Sequence, residues 1–267
     1  MMQKTAFVFP GQGSQSVGML ENIALQHPII QETFKEASAV LGYDLWALSA
    51  QGPAEKLNQT EYTQPALLTA GVAMWRLVEI LRGQAFISFL AGHSLGEYTA
   101  LVCSEALSFG DAVRLVALRG RLMQEAVKEG EGAMAAILGL DTPGIVAACA
   151  EVANGEVVEP VNFNANGQTV IAGHKAAVER AMEACKARGA KMAKALPVSA
   201  PFHSSLIRPA ADKLATRLAQ LTLNTPVIPV INNVDVAIEN DTARIKDALI
   251  RQAYNPVRWV ETIQAMA

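Results

Sequence analysis

The sequence predicts an α/β protein, a mostly parallel sheet core carrying a small inserted domain, and three observations carry that expectation. A continuous apolar run, Ala85 to Leu90, ends in Gly92-His93-Ser94-Leu95-Gly96, and a helical apolar pattern (Leu95, Tyr98, Leu101, Val102, Ala106) starts at once. Strand, sharp turn and helix with a serine at the apex is the context a Gly-x-Ser-x-Gly turn requires, and it makes the core hydrolase-like. Residues from about 129 to 199 follow the order strand, helix, strand, strand, helix, strand, the ferredoxin-like βαββαβ unit. A chain of 267 residues, 51% apolar and 18% charged, is long enough for one large core plus such an insertion. The expected division is a core over 1–128 and 200–267 and a small subdomain over 129–199.

Taken in order, Thr5–Phe9 reads as a buried strand stopped by Pro10. Gly11-Gln12-Gly13-Ser14-Gln15 follows it, and Gly11 and Gly13 free the Gln12 N–H to point outward. A strand followed by Gly-x-Gly invites a dinucleotide-binding reading, but the third glycine position is Ser16 and no acid-terminated strand follows at the expected distance. Short helices are expected around 18–26, 29–40 and 53–58. Pro65 is expected to open a strongly apolar helix running to about Leu81, since proline at the first turn sacrifices no bond. After the elbow, Asp111 is expected to cap a helix from Ala112 to about Lys128.

Within the inserted unit the strands are Ala133–Leu138, Val157–Phe163, Thr169–Ala172 and Met192–Val198, and the helices Pro143–Ala153 and Ala176–Arg188. Asn164-Ala165-Asn166-Gly167 supplies the turn between the central strands. Beyond Ala200-Pro201-Phe202-His203 come a helix from Ser205 to about Leu221, a strand over Val227–Asn232, a charged helix over 241–253 and a final helix over Val257–Met266. Trp46 and Trp75 read as packing.

Composition narrows the function. A net charge of −3 with no long basic run argues against nucleic acid. No apolar stretch approaches the ~20 residues a membrane helix needs. The N-terminal apolar run is too short for a signal peptide. Cys103, Cys149 and Cys185 lack the short spacing of a zinc site or a disulfide framework and fit small core residues of a reducing compartment, so a soluble cytoplasmic protein without a metal is expected.

The candidate chemistry centres on Ser94. The tight turn lifts its Oγ clear of the backbone and leaves the first N–H groups of the following helix pointing where an acyl oxygen would become negative. A serine needs a base, and there are four histidines: His27, His93, His174 and His203. His93 diverges from Ser94 in a tight turn, His27 sits in a Gln-His-Pro surface turn, and His174 begins a helix in a capping or surface role. His203, in loop context after a proline, remains as the base. The acids between them, Asp111 and Asp141, read as a cap and a turn, so a dyad oriented by a backbone carbonyl is expected. Arg119 lies in the middle of the buried stripe of its helix (Ala112, Leu115, Val116, Leu122, Met123), whereas Arg114 and Arg121 lie off it. A buried guanidinium needs an anion, either an internal one such as Glu97 or Glu61 or a substrate carboxylate, and pattern alone leaves both open.

Phe9-Pro10-Gly11-Gln12-Gly13-Ser14-Gln15, Thr63-Gln64-Pro65-Ala66, Gly92-His93-Ser94-Leu95-Gly96-Glu97-Tyr98, Arg119-Gly120, Gly132-Ala133-Met134-Ala135-Ala136 and His203 occur in the order and spacing of malonyl-CoA:acyl carrier protein transacylases. The sequence resembles that family over nearly its whole length. The resemblance implies Ser94 as nucleophile, His203 as base, Gln12 and Leu95 as backbone oxyanion donors, and Arg119 as clamp for the malonyl carboxylate. It also implies Gln252 as the residue whose carbonyl orients His203, and Phe202 as the malonyl-preferring version of its segment.

Malonyl-CoA, CoA and acyl carrier protein are the implied substrate, product and partner, with no cofactor and a monomeric enzyme. Carrier proteins are typically acidic, so the cluster Lys186, Arg188, Lys191 and Lys194 is a candidate docking surface. Family members continue past such a final helix into another strand and a Gly-Pro-Gly turn, which this sequence does not carry, so the sheet is expected to lack an edge strand. The rival readings are a serine thioesterase or esterase, which would not need Arg119, and an inactive module that only docks the carrier protein.

Overall fold

The computed structural model describes residues 5–82, 87–198 and 200–267. Ala85 and Phe86, expected to begin the strand before the elbow, lie outside the described residues. In chain order the elements are β1 (Thr5–Phe9), α1 (Glu21–Ala24), α2 (Ile29–Leu41), α3 (Leu45–Gln51), α4 (Ala54–Leu57), α5 (Thr60–Arg82), β2 (Ile87–Gly92), α6 (Leu95–Cys103) and α7 (Phe109–Glu125). Next come β3 (Gly132–Leu138), α8 (Thr142–Val152), β4 (Val158–Ala165), β5 (Gln168–His174), α9 (Lys175–Ala187) and β6 (Met192–Ala195). A short 3₁₀ turn (Ser205–Ile207), α10 (Arg208–Ala219), β7 (Val230–Ile231), α11 (Thr242–Gln252) and α12 (Trp259–Met266) complete the chain. The residues fall into two compact units, one comprising residues up to Arg121 with Arg217–Asn232 and Ala237–Ile245, the other Leu122–Thr216, Asn233–Val236 and Lys246–Ala267.

The first unit holds a parallel sheet in the order β1-β2-β7. Phe9 pairs with Gly92, and Leu90 and Ala91 pair with Val230 and Ile231. The strands carry nearly continuous apolar runs, but β1, expected to be a buried strand, buries only Phe9 and leaves Ala6 and Val8 exposed, so one of its faces is open. Phe7 and Phe9 pack against Trp75 with ring centroids 5.4 and 6.3 Å away, and Trp46 packs edge-on against Phe34 at 5.1 Å. Trp75 is buried in the core and Trp46 is half-buried; both serve in packing, as the sequence suggests.

The second unit holds the four-stranded sheet β4-β5-β3-β6, antiparallel throughout, which is the strand order of a ferredoxin-like βαββαβ unit. Its core gathers Ile137, Ile145, Ala148, Val158, Ile171, Val178 and Ala181. The free thiols of Cys149 and Cys185 lie in the same cluster; burial pushes Cys149 up to about 12 and raises Cys185 as well. Val257 extends the sheet past β4, accepting from the Phe163 N–H at 3.0 Å and donating to the Val161 carbonyl at 2.8 Å.

Several boundaries differ from expectation for identifiable reasons. Helix α5 begins at Thr60, not Pro65, so Pro65 lies inside it and has no N–H to give to the Glu61 carbonyl. Helix α3 was not expected at all; Asp44 caps it by accepting from the Ala47 N–H at 2.9 Å. Asp111 is not the cap of α7. Ser108 is: its Oγ accepts from the Asp111 N–H at 3.2 Å and donates to the Asp111 carboxylate at 2.8 Å. Strand β7 shrinks to two residues because Pro229 has no donor for the ladder, although its carbonyl still accepts from the Leu90 N–H at 2.8 Å.

Candidate active site

The turn at Ser94 is as tight as its glycines imply. Ser94 adopts φ 52° and ψ −108°, a conformation that non-glycine residues rarely hold and that is typical of functional strain. A Cβ on Gly92 would fall inside the peptide unit of Gly96, and one on Gly96 would collide with the Phe9 carbonyl. The N–H groups of Gly96 and Glu97 turn back onto the carbonyls of His93 and Ser94, at 2.9 and 3.1 Å. The Leu95 N–H is thereby left at the open N-terminus of α6, beside the serine.

The loop after β1 lies against this turn, because the Phe9–Gly92 pairing delivers the chain there. The His93 N–H donates to the Phe9 carbonyl at 3.0 Å. A Cβ on Gly11 would stand 2.7 Å from the His93 carbonyl oxygen, so only glycine lets the loop come this close. The loop is fixed from outside: Gln12 Nε2 donates to Thr60 Oγ1 at 3.2 Å, and Gln15 Nε2 donates to Asn58 Oδ1 at 2.8 Å. Gln12 is thus held to Thr60 by its side chain, one residue after the glycine that packs against His93.

Arg119 reaches Ser94 from α7. It is 2% exposed, in the buried stripe of α7, while Arg114 and Arg121 face outward. Its fork is divided: Nη1 donates to Gln64 Oε1 at 2.9 Å and Nη2 donates to Ser94 Oγ at 3.2 Å. The guanidinium carbon stands 5.2 Å from the centre of the Tyr98 ring. Burial lowers the guanidinium below its ordinary pKa, and Tyr98 and the buried carboxylate of Glu97 act against that. Burial in turn pushes the Tyr98 phenol up to about 12, which keeps it neutral. Of the two internal acids weighed from the sequence, Glu97 is the one whose charge the arginine feels.

His203 belongs to the second unit and is 3% exposed. Its φ of 65° is also left-handed. Its Nδ1 stands 2.8 Å from the backbone carbonyl of Gln252, a fully buried residue at the last position of α11. A carbonyl oxygen can only accept, so Nδ1 carries the proton, and in the neutral ring Nε2 holds the lone pair. Phe202, beside it, is buried.

The remaining sequence candidates fall elsewhere. His174 stands at the N-cap of α9 but its side chain makes no cap bond; its Nδ1 accepts from the Val157 N–H at 2.9 Å and ties the end of β5 to the residue before β4. Asp141 caps α8 by accepting from the Gly144 N–H at 3.0 Å. Lys186, Arg188, Lys191 and Lys194 are all exposed, but Lys186 pairs with Glu183 at 2.7 Å and Arg188 pairs with Glu151. Gln64 stands in the Thr63–Ala66 motif, but nothing in the sequence assigns it a role of its own. Its signal was present, a polar side chain inside an apolar helical run, but only the partner across α7 gives it a role.

The acyl transferase domain family matches residues 6–267. The malonyl CoA-acyl carrier protein transacylase of Salmonella typhimurium is 62% identical over 266 residues, covering 100% of this chain and 86% of its own length. An acyl carrier protein S-malonyltransferase from Vibrio cholerae superposes with a TM-score of 0.95 at 60% identity, over 98% of this chain and 85% of its own. A malonyl-transacylase solved in complex with a type II PKS acyl-carrier protein superposes with a TM-score of 0.97 at 59% identity, over 98% of this chain and 84% of that one.

Proposed function

The chain belongs to the acyl transferase domain family, and from that premise we infer its reaction: it transfers a malonyl group from malonyl-CoA to the phosphopantetheine thiol of acyl carrier protein, in fatty acid biosynthesis. The observation that carries this reading is the buried Arg119 fork donating to Ser94 Oγ, which sets a cation one hydrogen bond from the proposed nucleophile.

In this reading His203 Nε2 takes the Ser94 hydroxyl proton as Oγ attacks the malonyl thioester carbonyl. The Gln12 and Leu95 N–H groups receive the oxyanion. The C–S bond breaks, and the CoA thiolate leaves with the proton from His203. The carrier thiol then gives its proton to His203, attacks the acyl-serine, and Ser94 recovers its proton. Through both steps the Gln252 carbonyl keeps the imidazole in the useful tautomer, a role supported by the 2.8 Å contact with Nδ1. Arg119 keeps Nη1 on Gln64 while the malonyl carboxylate replaces Ser94 Oγ as its second partner, the planar fork suiting a carboxylate.

The reaction balances on these groups alone, so the proposal includes no cofactor and no metal. It also includes a monomer working in a reducing cytoplasm, where three free, buried cysteines are at home. We divide the chain into the catalytic core over 1–128 and 200–267 and the small subdomain over 129–199, and place the carrier-protein surface at Lys186, Arg188, Lys191 and Lys194.

Intact mass after mixing with malonyl-CoA tests the reaction. One persistent malonyl adduct, absent from Ser94→Ala, is the expected result. Turnover to free malonate without an adduct would mark a thioesterase, and neither adduct nor turnover a carrier-binding module. Labelling retained in Ser94→Ala would discard Ser94.

A further inference from the structure

We propose that Glu159 is a positioning residue for His203, acting through Ser205 as a helix cap supplied from a neighbouring strand. The inference rests on the reading of His203 as the catalytic base.

The helical stretch that begins immediately after His203, the 3₁₀ turn Ser205–Ile207 leading into α10, has Ser204 in the cap position. Serine normally caps by accepting from an N–H two or three residues on. Ser204 does not: its Oγ turns backward and donates to the Pro201 carbonyl at 2.6 Å, and its N–H donates to the same carbonyl at 3.2 Å. The helix start therefore has an opening for an outside acceptor, and Glu159 fills it. One carboxylate oxygen accepts from the Ser205 N–H at 2.8 Å and the other from Ser205 Oγ at 2.9 Å. Glu159 stands on β4, 46 positions away in sequence, so this clamp ties the antiparallel sheet to the segment that carries the histidine. A carboxylate at the N-terminus of a helical stretch also opposes the dipole of its peptide units.

His203 needs such a tie. A left-handed φ in a residue with a Cβ persists only where its surroundings over-determine it. Among the attachments that bracket it are the Pro201 carbonyl accepting both bonds from Ser204, the Gln252 carbonyl on Nδ1, and the Glu159 clamp at Ser205. The first lies within the turn itself. Gln252 holds the ring, and Glu159 alone among these holds the backbone just after the histidine from outside. Removing it lets the turn relax toward an ordinary φ, which swings the imidazole off the Gln252 carbonyl.

The test compares Glu159→Ala, Glu159→Gln and Ser205→Ala in the full chain. Rates of acyl-serine formation are read with malonyl-CoA, and the Nδ1–H proton of His203 is read by NMR in ¹⁵N-histidine protein. Glu159→Ala should slow acylation about five- to twentyfold with little change in KM, and the His203 Nδ1–H signal should weaken through faster exchange with water. Glu159→Gln, which retains an acceptor for the Ser205 N–H, should recover most of both. Ser205→Ala, which keeps the N–H bond and loses the hydroxyl one, should fall between, and combining it with Glu159→Ala should add less than the separate losses.

A purely structural cap predicts a lower melting temperature with rate and Nδ1–H signal unchanged, and that result overturns the proposal. A slower rate with an unchanged Nδ1–H signal overturns it too. If Glu159→Ala does not fold, Glu159→Gln and Ser205→Ala decide by the same two readouts. His203→Ala separates the two levels of the argument: full acylation in that variant would remove the base assignment itself, whereas loss there with normal Glu159 variants would remove only the clamp.

Discussion

At the scale of one residue, the proposed reaction assigns substrate choice to Arg119. With Nη1 on Gln64 and Nη2 on Ser94, two of the cation's hydrogen bonds go to neutral oxygens, and the Glu97 charge lies near enough to act on it. Malonyl brings a carboxylate to that fork and acetyl brings none. Taking one partner from a buried ion pair typically costs ~3–5 kcal/mol, because the other charge is left stranded. Arg119→Ala should therefore lose roughly 10²–10³-fold in kcat/KM for malonyl-CoA, allowing for partial solvation and ~1.4 kcal/mol per decade. Acetyl transfer in the same variant should hold steady or rise. The malonyl-to-acetyl ratio, measured beside Tm, settles the role: a ratio that does not move, with a lower Tm, would make Arg119 a structural residue. The arginine's position was legible in the sequence, since a lone charge in an apolar helical stripe has few explanations. Its partners were not, because Gln64 and Tyr98 come to it from α5 and α6, and neither has a sequence spacing that points across a fold.

At the scale of elements, α7 presents Arg119 correctly only because Gly120 lets it lie directly on the first turn of α5. A Cβ on Gly120 would stand 2.5 Å from the Thr60 carbonyl oxygen and 2.9 Å from the Glu61 Cα. Gly120→Ala should push the helices apart, lowering Tm by about 2–10 °C for an overpacking cost of ~1–3 kcal/mol. It should also lower malonyl transfer more than acetyl transfer, a weaker copy of Arg119→Ala; equal losses would show that the helix contact does not set the clamp. A second element-level tie holds the end of α11, where Arg251 grips Asp235 with bonds of 2.8 and 2.6 Å, one residue before Gln252. The Arg251 hydrogen bond holds the Asp235 carboxyl below its ordinary value. A depressed folded-state pKa means that the stabilisation is complete above the unfolded value of about 3.9 and drains away as pH falls through the lower folded one. Asp235→Asn should therefore be less stable than the parent at neutral pH, and the gap should close below about pH 4. A gap that persists at acid pH would exclude the ion pair as its cause. The strands and helices of the βαββαβ unit were readable within a few residues, since each has its own period and turn. The starts of α5 and β7 were not: Pro65 sits inside α5, where neighbouring contacts outweigh local preference, and Pro229 cuts β7 back to Val230.

For the whole molecule, a net charge of −3 makes the exposed cations at the end of the ferredoxin-like sheet stand out. Among the described residues, neither Lys191 nor Lys194 has an ion pair within 4 Å, whereas Lys186 and Arg188 are already engaged. Reversing Lys191 and Lys194 to glutamate should raise KM for the acidic carrier protein in a salt-sensitive way and leave malonyl-CoA labelling untouched. Equal loss in both half-reactions would point to a damaged fold. The cluster was visible in sequence, but which of its members are neutralised depends on Glu151 and Glu183, which only the folded chain brings up to them. The glycines at 92, 96 and 120 carry a different consequence for anyone reading this protein from variant libraries. Each occupies a spot where another chain segment already fills the volume of a methyl group, so nearly every codon change there would be depleted. On growth-based fitness maps those columns would look as intolerant as Ser94, although none of the three offers a group to the chemistry. Fitness alone would thus draw an active site several residues too large. Pairing each depleted column with soluble yield would shrink it again, because a lost nucleophile leaves a folded, abundant protein and a lost glycine does not.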